Sequence, residues 1–532
     1  MRFSSTYINY NETGFFSKII IDYLNQSKEL AAFYNYENNL EGLQFAIDNR
    51  NFSTETRKII TTYFKNQYKE NASTKQLENI SLLEKENCFS ITTAHQPNIF
   101  TGPLYVIYKI LHTIKMAETL KQKFTDKHFV PVFFMGSEDA DFDELGSITI
   151  QGKKLQWNTK QSGAVGRMLV DDDFLKLIAE IKGQIGVDQY GMELVALFTS
   201  AYSKGKSIQQ ATFELLNLLF AKYGLLVLVP DDKVLKQIFS STIKKEITTS
   251  FSHQLVEQTN QDLSKHYKTQ ATGRDINLFY LIDDKRERIE RIGDEFFVAA
   301  LQLKLSLTEM LNEIDQHPER FSPNVILRPV FQETILPNIA FIGGGGELAY
   351  WMQLKKVFIE VGIDYPVLVL RNSFLLLNQK HKSTLDKLKL EVKDLFKDSD
   401  TIIKQMVISK SNQSLKYAEE IQVFKNGFQH LKTHAASIDK SLVEHITALE
   451  TQSLKKIEAA EKKLLRAEKR KFVNEQNQIV ALKSQLFPNN SLQERIENFS
   501  SFYAKYGAAF FNILLESNLS IEQQFTVLLL ND

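Results

Sequence analysis

A histidine and two amide side chains follow directly on an apolar run in the stretch TTAHQPNIFTGPLYVIYKI, residues 92–110. If that run is a strand, His95, Gln96 and Asn98 lie past its carboxyl end, where open parallel sheets bind their ligands. Pro97 prevents the strand from continuing. These groups can hold a phosphate or a carboxylate, so the stretch predicts a ligand site. An ordinary turn is the alternative, because His, Pro and Asn are all common in turns.

The same stretch predicts a helix that begins near Pro103, with Thr101 placed to cap it. The bare backbone amides at the start of such a helix favour an anion. Gly102 and Tyr105 flank the predicted helix start and are therefore further candidates for substrate binding.

Acidic side chains crowd the end of the next apolar run, in PVFFMGSEDADFDEL. The polar residues there are Ser137, Glu138, Asp139, Asp141, Asp143 and Glu144. Carboxylates this close repel one another unless a cation, a substrate amine or protonation relieves them. The cluster therefore indicates a site for an ammonium group or for Mg²⁺, although it lacks the spacing of a calcium loop. An exposed acidic loop is the alternative, with Asp143 and Glu144 as its more solvated members.

Four consecutive glycines interrupt RPVFQETILPNIAFIGGGGELAYWMQLK, residues 328–355. Glycine permits close backbone approach and positive φ, and the residues after the run predict a helix. The run matches neither the dinucleotide nor the P-loop pattern, so a flexible structural loop is an equal alternative. The ligand-binding candidates here and in the strand-like TGRDINLFYL are Arg274, Asn277, Arg328, Gln332, Asn338, Gly343, Gly344, Gly345, Gly346, Glu347 and Tyr350.

Several other chemistries are disfavoured by the residues present. The ten histidines form no HExxH motif or metal-spaced pair, so no residue is assigned as a metal ligand. Cys88 is the only cysteine, which excludes an intramolecular disulfide and a thiolate zinc cluster. No Ser-His-Asp order stands out, so we do not expect covalent catalysis by serine or cysteine.

Charge and hydropathy narrow the remaining classes. The 532 residues include 64 basic and 64 acidic side chains, a balance that gives no general attraction to nucleic acid or to an anionic membrane. The sequence shows no signal-peptide pattern and no apolar run of the ~18 residues that a membrane span needs. We therefore expect a soluble, cytoplasmic protein.

Short apolar runs alternate with helical stretches along the middle of the chain. The predicted strands are 88–94, 129–137, 224–230, 324–330 and 365–371, and the clearest helices are 104–124 and 207–223. Several runs are continuously apolar, which is typical of strands buried on both faces. The alternation predicts an α/β fold, with a Rossmann-like parallel-sheet core over 86–375 and an insertion near 150–200.

The segments outside this core predict helices. Residues 1–85 have a helical period and are expected to form a segment that packs on the core. Residues 376–487 contain no proline, and their apolar residues step by three and four, which predicts a long α-helical coiled-coil arm. An ordinary helical bundle is the alternative, because the heptads break near 447–453. Residues 488–532 are expected to return to the core.

The apolar surface of the arm predicts a partner. A two-helix hairpin cannot hide every apolar seam of such an arm. The stripe expected to remain exposed includes Phe472, Ile479 and Leu482. Because closed two-fold dimers are the commonest homo-oligomers, the sequence predicts a homodimer through the coiled coil.

Five motifs together resemble one known family. They are AHQPNIFTGPLYVIYKI, PVFFMGSEDADFDEL, DINLFYL, RPVFQETILPNIAFIGGGGELAYW and QLFPNNSLQERIENFSSFYAKYG. In this order, over nearly the whole chain, they resemble the bacillithiol biosynthesis cysteine-adding enzymes, also called cysteine ligases or bacillithiol synthases. The resemblance implies a Rossmann-fold core with connecting segments and a coiled coil used for dimerisation.

The resemblance also implies a reaction, in which the carboxyl group of L-cysteine is ligated to the amine of glucosaminyl-malate to give bacillithiol. Amide formation needs an activated acyl group and a stabilised oxyanion. On this interpretation His95 and Gln96 are catalytic at the activated carboxyl end. Glu138 and Asp139 are catalytic at the amine, which they hold or deprotonate. Arg328 and the glycine run hold the sugar or the malate.

The resemblance leaves the activation of cysteine open. The cofactor is unknown, and ATP with Mg²⁺ is one possibility, although the H-x-G-H spacing of nucleotidyl transferases is missing. Related enzymes commonly have a histidine where this chain has Ala140. Two other functions stay open, namely an aminosugar or nucleotide-sugar transferase of the HQPN type and a non-catalytic coiled-coil scaffold.

Overall fold

The computed structural model describes residues 3–411 and 414–531 of the chain. These residues include sixteen strands and 24 α-helices. The strands are β1 Phe3–Ile8, β2 Cys88–His95, β3 His128–Met135, β4 Ser147–Ile150, β5 Lys153–Gln156, β6 Leu226–Leu228, β7 Leu278–Ile282, β8 Lys285–Arg288, β9 Glu290–Ile292, β10 Glu295–Val298, β11 Leu303–Ser306, β12 Phe321–Pro323, β13 Asn338–Gly343, β14 Val367–Leu370, β15 Phe374–Asn378 and β16 Phe525–Leu530.

The helices account for most of the remaining chain. They are α1 Tyr10–Thr13, α2 Lys18–Leu24, α3 Leu40–Asn49, α4 Thr54–Tyr68, α5 Thr74–Leu82, α6 Leu104–Lys123, α7 Phe142–Leu145, α8 Asp172–Ile185, α9 Gly191–Ala201, α10 Ile208–Phe220, α11 Lys233–Thr249, α12 Phe251–Leu263, α13 Leu307–Gln316, α14 Arg328–Ile335, α15 Gly345–Trp351, α16 Lys355–Val361, α17 Gln379–Leu388, α18 Ser399–Lys410, α19 Ala418–Ile438, α20 Leu442–Lys469, α21 Val473–Leu486, α22 Gln493–Ile496, α23 Ser500–Tyr506 and α24 Ala509–Glu516. None of the described helices combines the length and apolar character needed to cross a membrane.

A five-stranded, fully parallel sheet confirms the predicted α/β core. Its strand order is β14-β13-β2-β3-β6. Every residue of β2, β6, β13 and β14 is buried, as is typical of parallel strands that are covered on both faces of the sheet. The chain builds β2, β3 and β6 toward one edge and then returns to place β13 and β14 on the other side of β2. The order therefore reverses between β2 and β13, and such a switch point is where parallel sheets bind ligands.

Residues 324–330 do not form the predicted strand. The chain turns at Asn324, whose side chain accepts the backbone N–H of Ile326 at 2.9 Å, and α14 then begins at Arg328. Pro329 suits this first turn of a helix, where its missing N–H is not needed. The fifth strand is instead β13, which precedes and includes the first glycine of the run.

The first residues of the chain form a strand, although 1–85 was predicted to be helical. β1 pairs with the C-terminal strand β16, and β16 pairs with β15 in a sheet of order β1-β16-β15. The period-2 pattern of this short edge strand is too weak to be distinguished from the helical segments that follow it. Helices α2 to α5 occupy the rest of that segment, as expected.

A long hairpin of α19 and α20 dominates the helical arm and confirms the predicted coiled coil. The two helices are joined by a short turn near Asp439. Ile479 and Leu482, expected on an exposed stripe, are only 1% and 5% exposed, because α21 packs on α17 and α18 of the same chain. Phe472 is half-buried and packs against the apolar cluster that contains Ile479. The most exposed large apolar residues of the described arm lie on the hairpin, where Val423 and Ile438 are 72% and 69% exposed.

The segment after the arm returns to the core and holds the turn before α6. Leu104 donates its backbone N–H to Glu497 O at 2.8 Å, and the Asn498 side chain donates to Phe100 O at 3.0 Å. Thr101 does not cap α6 as predicted, since it lies in this turn at positive φ and its hydroxyl finds no partner in the described chain. The return segment, residues 488–531, therefore pairs with the Leu104 amide at the start of α6. From the sequence this amide was expected to bind an anion.

Candidate functional site

A cavity of about 700 Å³ opens at the carboxyl ends of β2, β3 and β13, beside the switch point of the sheet. The predicted site residues that line it are His95, Gln96, Tyr105, Ser137, Glu138, Asp139, Arg274, Arg328, Gly344, Gly345, Gly346, Glu347 and Tyr350. Segments that are far apart in the sequence thus meet at one edge of the sheet, as open parallel sheets favour.

The other predicted residues lie outside this lining. They are Asn98, Thr101, Gly102, Asp141, Asn277, Gln332, Asn338 and Gly343. Gln332 and Asn338 both donate to the buried Glu333 Oε1 at 2.8 Å, beneath the cavity wall. Asn277 donates to Ser252 Oγ at 2.7 Å in a separate buried network. These amides satisfy neighbouring polar groups of the fold.

Local geometry explains three more of these positions. Gly102 has a φ of +66°, and a Cβ there would lie 2.7 Å from Asn98 Cβ, so glycine is required. Asp141 caps the short α7. Gly343 ends β13, and none of the four consecutive glycines has positive φ, which corrects the expected role of that run. A Cβ built at Gly346 would meet open space, so this glycine leaves the cavity wall free of a side chain.

His95 is a neutral imidazole with a fixed orientation at the end of β2. Its Nδ1 lies 3.2 Å from the backbone oxygen of Gln96, which can only accept, so Nδ1 carries the proton. Nε2 therefore accepts the Tyr105 O–H at 3.0 Å. Burial and the Lys109 charge lower the pKa of His95 to about 4. Burial raises the pKa of Tyr105, which stays a neutral hydroxyl.

A buried ion pair joins the two sides of the switch point. Lys109 of α6 contacts Glu347 of α15 and donates to Ala94 O at 2.9 Å. Burial lowers the pKa of Lys109. Burial opposes ionisation of Glu347, but Lys109 and the Gly344 N–H outweigh it and lower that pKa. Lys109 was not singled out from the sequence, although it lies one helical turn after Tyr105 and therefore on the same face.

Glu138, at the end of β3, is already neutralised by the fold. Lys236 of α11 contacts its Oε1, and Ser322 Oγ donates to its Oε2 at 3.0 Å. The side chains of Lys236 and Glu138 are 0% and 9% exposed. Lys236 also donates to Phe321 O at 2.7 Å. Glu138 is therefore a fixed, paired carboxylate in the wall.

Asp139 is the more accessible carboxylate of the pair, with its side chain 37% exposed. Gln96 Nε2 donates to its Oδ2 at 3.0 Å. Arg286 Nη1 lies 3.8 Å from its Oδ1, and that guanidinium stacks 3.9 Å from the centre of the Phe279 ring. Within the described residues, no group of three or more His, Cys, Asp or Glu side chains is arranged to hold a metal ion. Asp139 is thus an acidic group that a ligand amine can reach, as is Glu144, which also lines the cavity and is exposed.

Arginines make another part of the lining positive. Arg274, Arg328 and Arg495 line the cavity, and none of them forms a salt bridge within the described chain. Arg328 is held by uncharged groups, since it donates to Tyr350 OH at 2.7 Å and to Gln332 Oε1 at 3.2 Å. Its charge is therefore left for an anionic ligand.

Three cationic lining residues besides Lys109 were missed by sequence reasoning. They are Arg286, Arg371 and Arg495. Arg371 had a readable signal, because it ends the predicted strand 365–371 at the ligand-binding edge. Its partner Glu494, at 2.7 Å from Arg371 Nη2, comes from the return segment. Arg286 lies on the small β7-β8 sheet, whose position no local pattern indicates.

Comparison with known proteins supports the assignment of both parts of the chain. Residues 3–372 match the family described as "Bacillithiol biosynthesis BshC, N-terminal Rossmann-like domain", and residues 374–530 match "Bacillithiol biosynthesis BshC, C-terminal coiled-coil domain". A relative from Flavobacterium johnsoniae named "Putative cysteine ligase BshC" is 40% identical over 98% of this chain and 99% of its own. Relatives of the same name from Christiangramia forsetii and Cytophaga hutchinsonii are 38% and 37% identical, over 98% and 94% of each chain.

These matches extend over almost the full length of both partners, so they cover the cavity as well as the arm. The relatives' name describes an enzyme that forms a bond to cysteine, which agrees with a polar cavity that holds a neutral base beside charged groups. The chain therefore belongs to the BshC family, the cysteine ligases of bacillithiol biosynthesis.

Proposed function

We propose that this enzyme joins the carboxyl group of L-cysteine to the glucosamine amine of glucosaminyl-malate and so forms bacillithiol. The observation that carries the proposal is the charge pattern of the cavity, in which unpaired arginines and an accessible carboxylate share one lining. An acceptor with an amine at one end and two carboxylates at the other complements such a lining.

The acceptor is held by both kinds of group. Arg328, with Arg274 and Arg495 near it in the same lining, binds the two malate carboxylates. Asp139 binds the glucosamine nitrogen, because it is an accessible carboxylate that Gln96, the neighbour of His95 in the chain, holds in place. Glu138 acts by its fixed charge, since Lys236 and Ser322 already occupy both of its oxygens.

The activated carboxyl group of cysteine lies at the His95 end of the cavity. There the Lys109 ammonium can stabilise the oxyanion that forms when the amine attacks. The proposed reaction requires that this acyl group is activated. The assay below follows nucleotide consumption and so measures whether a nucleotide supplies the activation.

Changing His95 to alanine is expected to lower ligation by at least ~100-fold, because a group that handles the proton or orients Tyr105 is lost. Pure protein is incubated with cysteine, glucosaminyl-malate and ATP, and the thiol product and any nucleotide product are followed by mass spectrometry. Lys382→Met, on the exposed face of α17, is the control and should be fully active. Product formation near the wild-type rate would remove His95 from the mechanism, and no product from the wild type would overturn the proposed reaction.

We also propose that two copies associate through the α19-α20 hairpin. A stripe of apolar side chains on this hairpin is exposed in the single chain. Its members are Val423, Phe424, Leu431, Ile438, Leu442 and Leu449. Exposed apolar surface that runs along one element is typical of an interface between proteins.

Removing the hairpin is expected to give a monomer that keeps its cavity. Tyr417 N and Glu461 Oε1 are 2.7 Å apart, so a short glycine-serine linker can replace residues 418–460 without moving α18 or α21. Light scattering at micromolar concentration measures the mass, with Val187→Lys, a change at an isolated exposed apolar residue, as the control. A monomeric full-length chain, or a shortened chain that still dimerises, would contradict this assignment.

A further inference from the structure

We propose that Tyr105 is a catalytic residue that relays a proton from the attacking amine to His95. This inference rests on the proposed ligation and adds to it the path by which the amine loses its proton. The feature that supports it is the His95–Tyr105 pair, in which each group has one defined hydrogen-bonding role.

The direction of the hydrogen bond is fixed by the protein. Because Nδ1 of His95 donates to the Gln96 carbonyl, only Nε2 has a free lone pair. The single proton of the Tyr105 hydroxyl therefore points to Nε2, 3.0 Å away. The tyrosine cannot use the same proton to donate to a ligand while this bond is intact.

The oxygen of Tyr105 keeps an acceptor site that the bond to His95 does not use. Tyr105 lines the cavity, and in the described chain its oxygen has no hydrogen-bond partner besides His95. A ligand N–H is the kind of donor that fits this oxygen. Arg371 lies 5.1 Å and Lys109 5.9 Å from the centre of the ring, so negative charge that develops on the oxygen during transfer is stabilised.

Four carboxylates line the cavity, and none of them is hydrogen-bonded to the Tyr105 hydroxyl. Glu138 is buried and both its oxygens already accept hydrogen bonds, from Lys236 and Ser322. Asp139 accepts from Gln96 and lies beside Arg286, so it suits a group that binds the amine. The Nε2 lone pair of His95 can take the Tyr105 proton when the tyrosine receives a proton from the amine. His95 is therefore the base of the pair.

The step balances as follows. The neutral amine forms a C–N bond to the acyl carbon of cysteine, which carries a phosphate-containing leaving group, and the bond to that group breaks with its electron pair. The nitrogen passes a proton to the Tyr105 oxygen while the Tyr105 proton passes to His95 Nε2. The imidazolium, which faces the Glu347 charge, then returns the proton to solvent. The protonated nitrogen of the adduct is a strong acid, so even a weak base such as His95 accepts its proton.

Tyr105→Phe tests this relay, because it keeps the ring and removes only the hydroxyl. We expect kcat to fall about 100-fold, with KM for both substrates changed less than about threefold, as for loss of a proton-transfer group. His95→Gln should fall by a similar factor, and the double variant should be no slower than the slower single variant, because the two residues act as a unit.

Tyr108→Phe is the matched control. Tyr108 lies on the same helix, is buried, and its hydroxyl has no partner among the residues that the structure describes. It should ligate at the wild-type rate. A Tyr105→Phe enzyme within about threefold of the wild type, or a double variant whose losses multiply, would overturn the relay.

A second readout separates this inference from the proposed reaction. The ¹⁵N resonance of His95 Nε2, recorded on the full-length protein, should shift when Tyr105→Phe removes the donor and stay unchanged in Tyr108→Phe. If the wild type forms no thiol product, the proposed reaction fails while this resonance still tests the hydrogen bond. If product forms and the resonance is the same in both variants and the wild type, the relay is wrong.

Discussion

Glu138→Ala is expected to destabilise the folded chain by about 3–5 kcal/mol, because it leaves the Lys236 ammonium buried without its partner. A residue in an acidic loop would show no such cost, so this result distinguishes a wall carboxylate from a solvated one. The shift in the midpoint of urea denaturation at pH 7 measures the change. Ligation by the fraction that stays folded should also fall.

The double variant Glu138→Met/Lys236→Met provides the control for the charge. Two apolar side chains of similar size should recover most of the lost stability, since replacing a whole buried ion pair is often neutral or stabilising. Ligation should not recover, because the charge at the end of β3 is still missing. Wild-type stability of the single variant would show that Lys236 reaches solvent or another partner when Glu138 is absent.

Arg371→Met is expected to cost a similar ~3–5 kcal/mol and to loosen the return segment from the core. The Arg371 and Glu494 side chains are 5% and 0% exposed, and Glu494 also accepts the Phe374 N–H at 3.1 Å. Hydrogen exchange over residues 488–531 should therefore quicken in the variant.

Two further variants give this measurement its contrast. Arg371→Met/Glu494→Met should restore slow exchange, while Lys382→Met, which breaks an exposed pair on α17, should change stability by less than about 1 kcal/mol. If Arg371→Met left exchange in the return segment unchanged, the ion pair would not be what holds that segment.

The central sheet was predictable where the strand signal was local. The runs 88–94 and 129–137 are free of charged residues and are followed by polar turns, and they form β2 and β3. The run 324–330 is of similar length, but it contains Arg328 and Pro329, and a helix begins there. The short β1 was missed because its pairing with β16 depends on residues at the other end of the chain.

The candidate site was predictable to a similar degree. Polar residues at strand ends, such as His95 and Glu138, could be found because parallel strands bring their carboxyl ends to one edge. Lys236 and Arg495 could not, since Lys236 lies in the first turn of α11 and Arg495 in the short α22, and each reaches the site only through packing. Burial also changed the role expected of Glu138. The sequence shows its carboxylate but does not show that the Lys236 ammonium packs against it and neutralises it.

The pairing of β1 with β16 has a consequence for how the protein is made. Phe3 pairs with Leu530, so the first strand leaves the ribosome long before its partner has been synthesised. At about 20 residues per second the delay is roughly half a minute, during which neither β1 nor β15 has its partner, because β16 is the central strand of that sheet. Chains that stop before β16 would leave β1 and β15 unpaired, and unpaired strand edges promote aggregation. Synthesis of β16 is therefore the step that joins the two strands into one sheet.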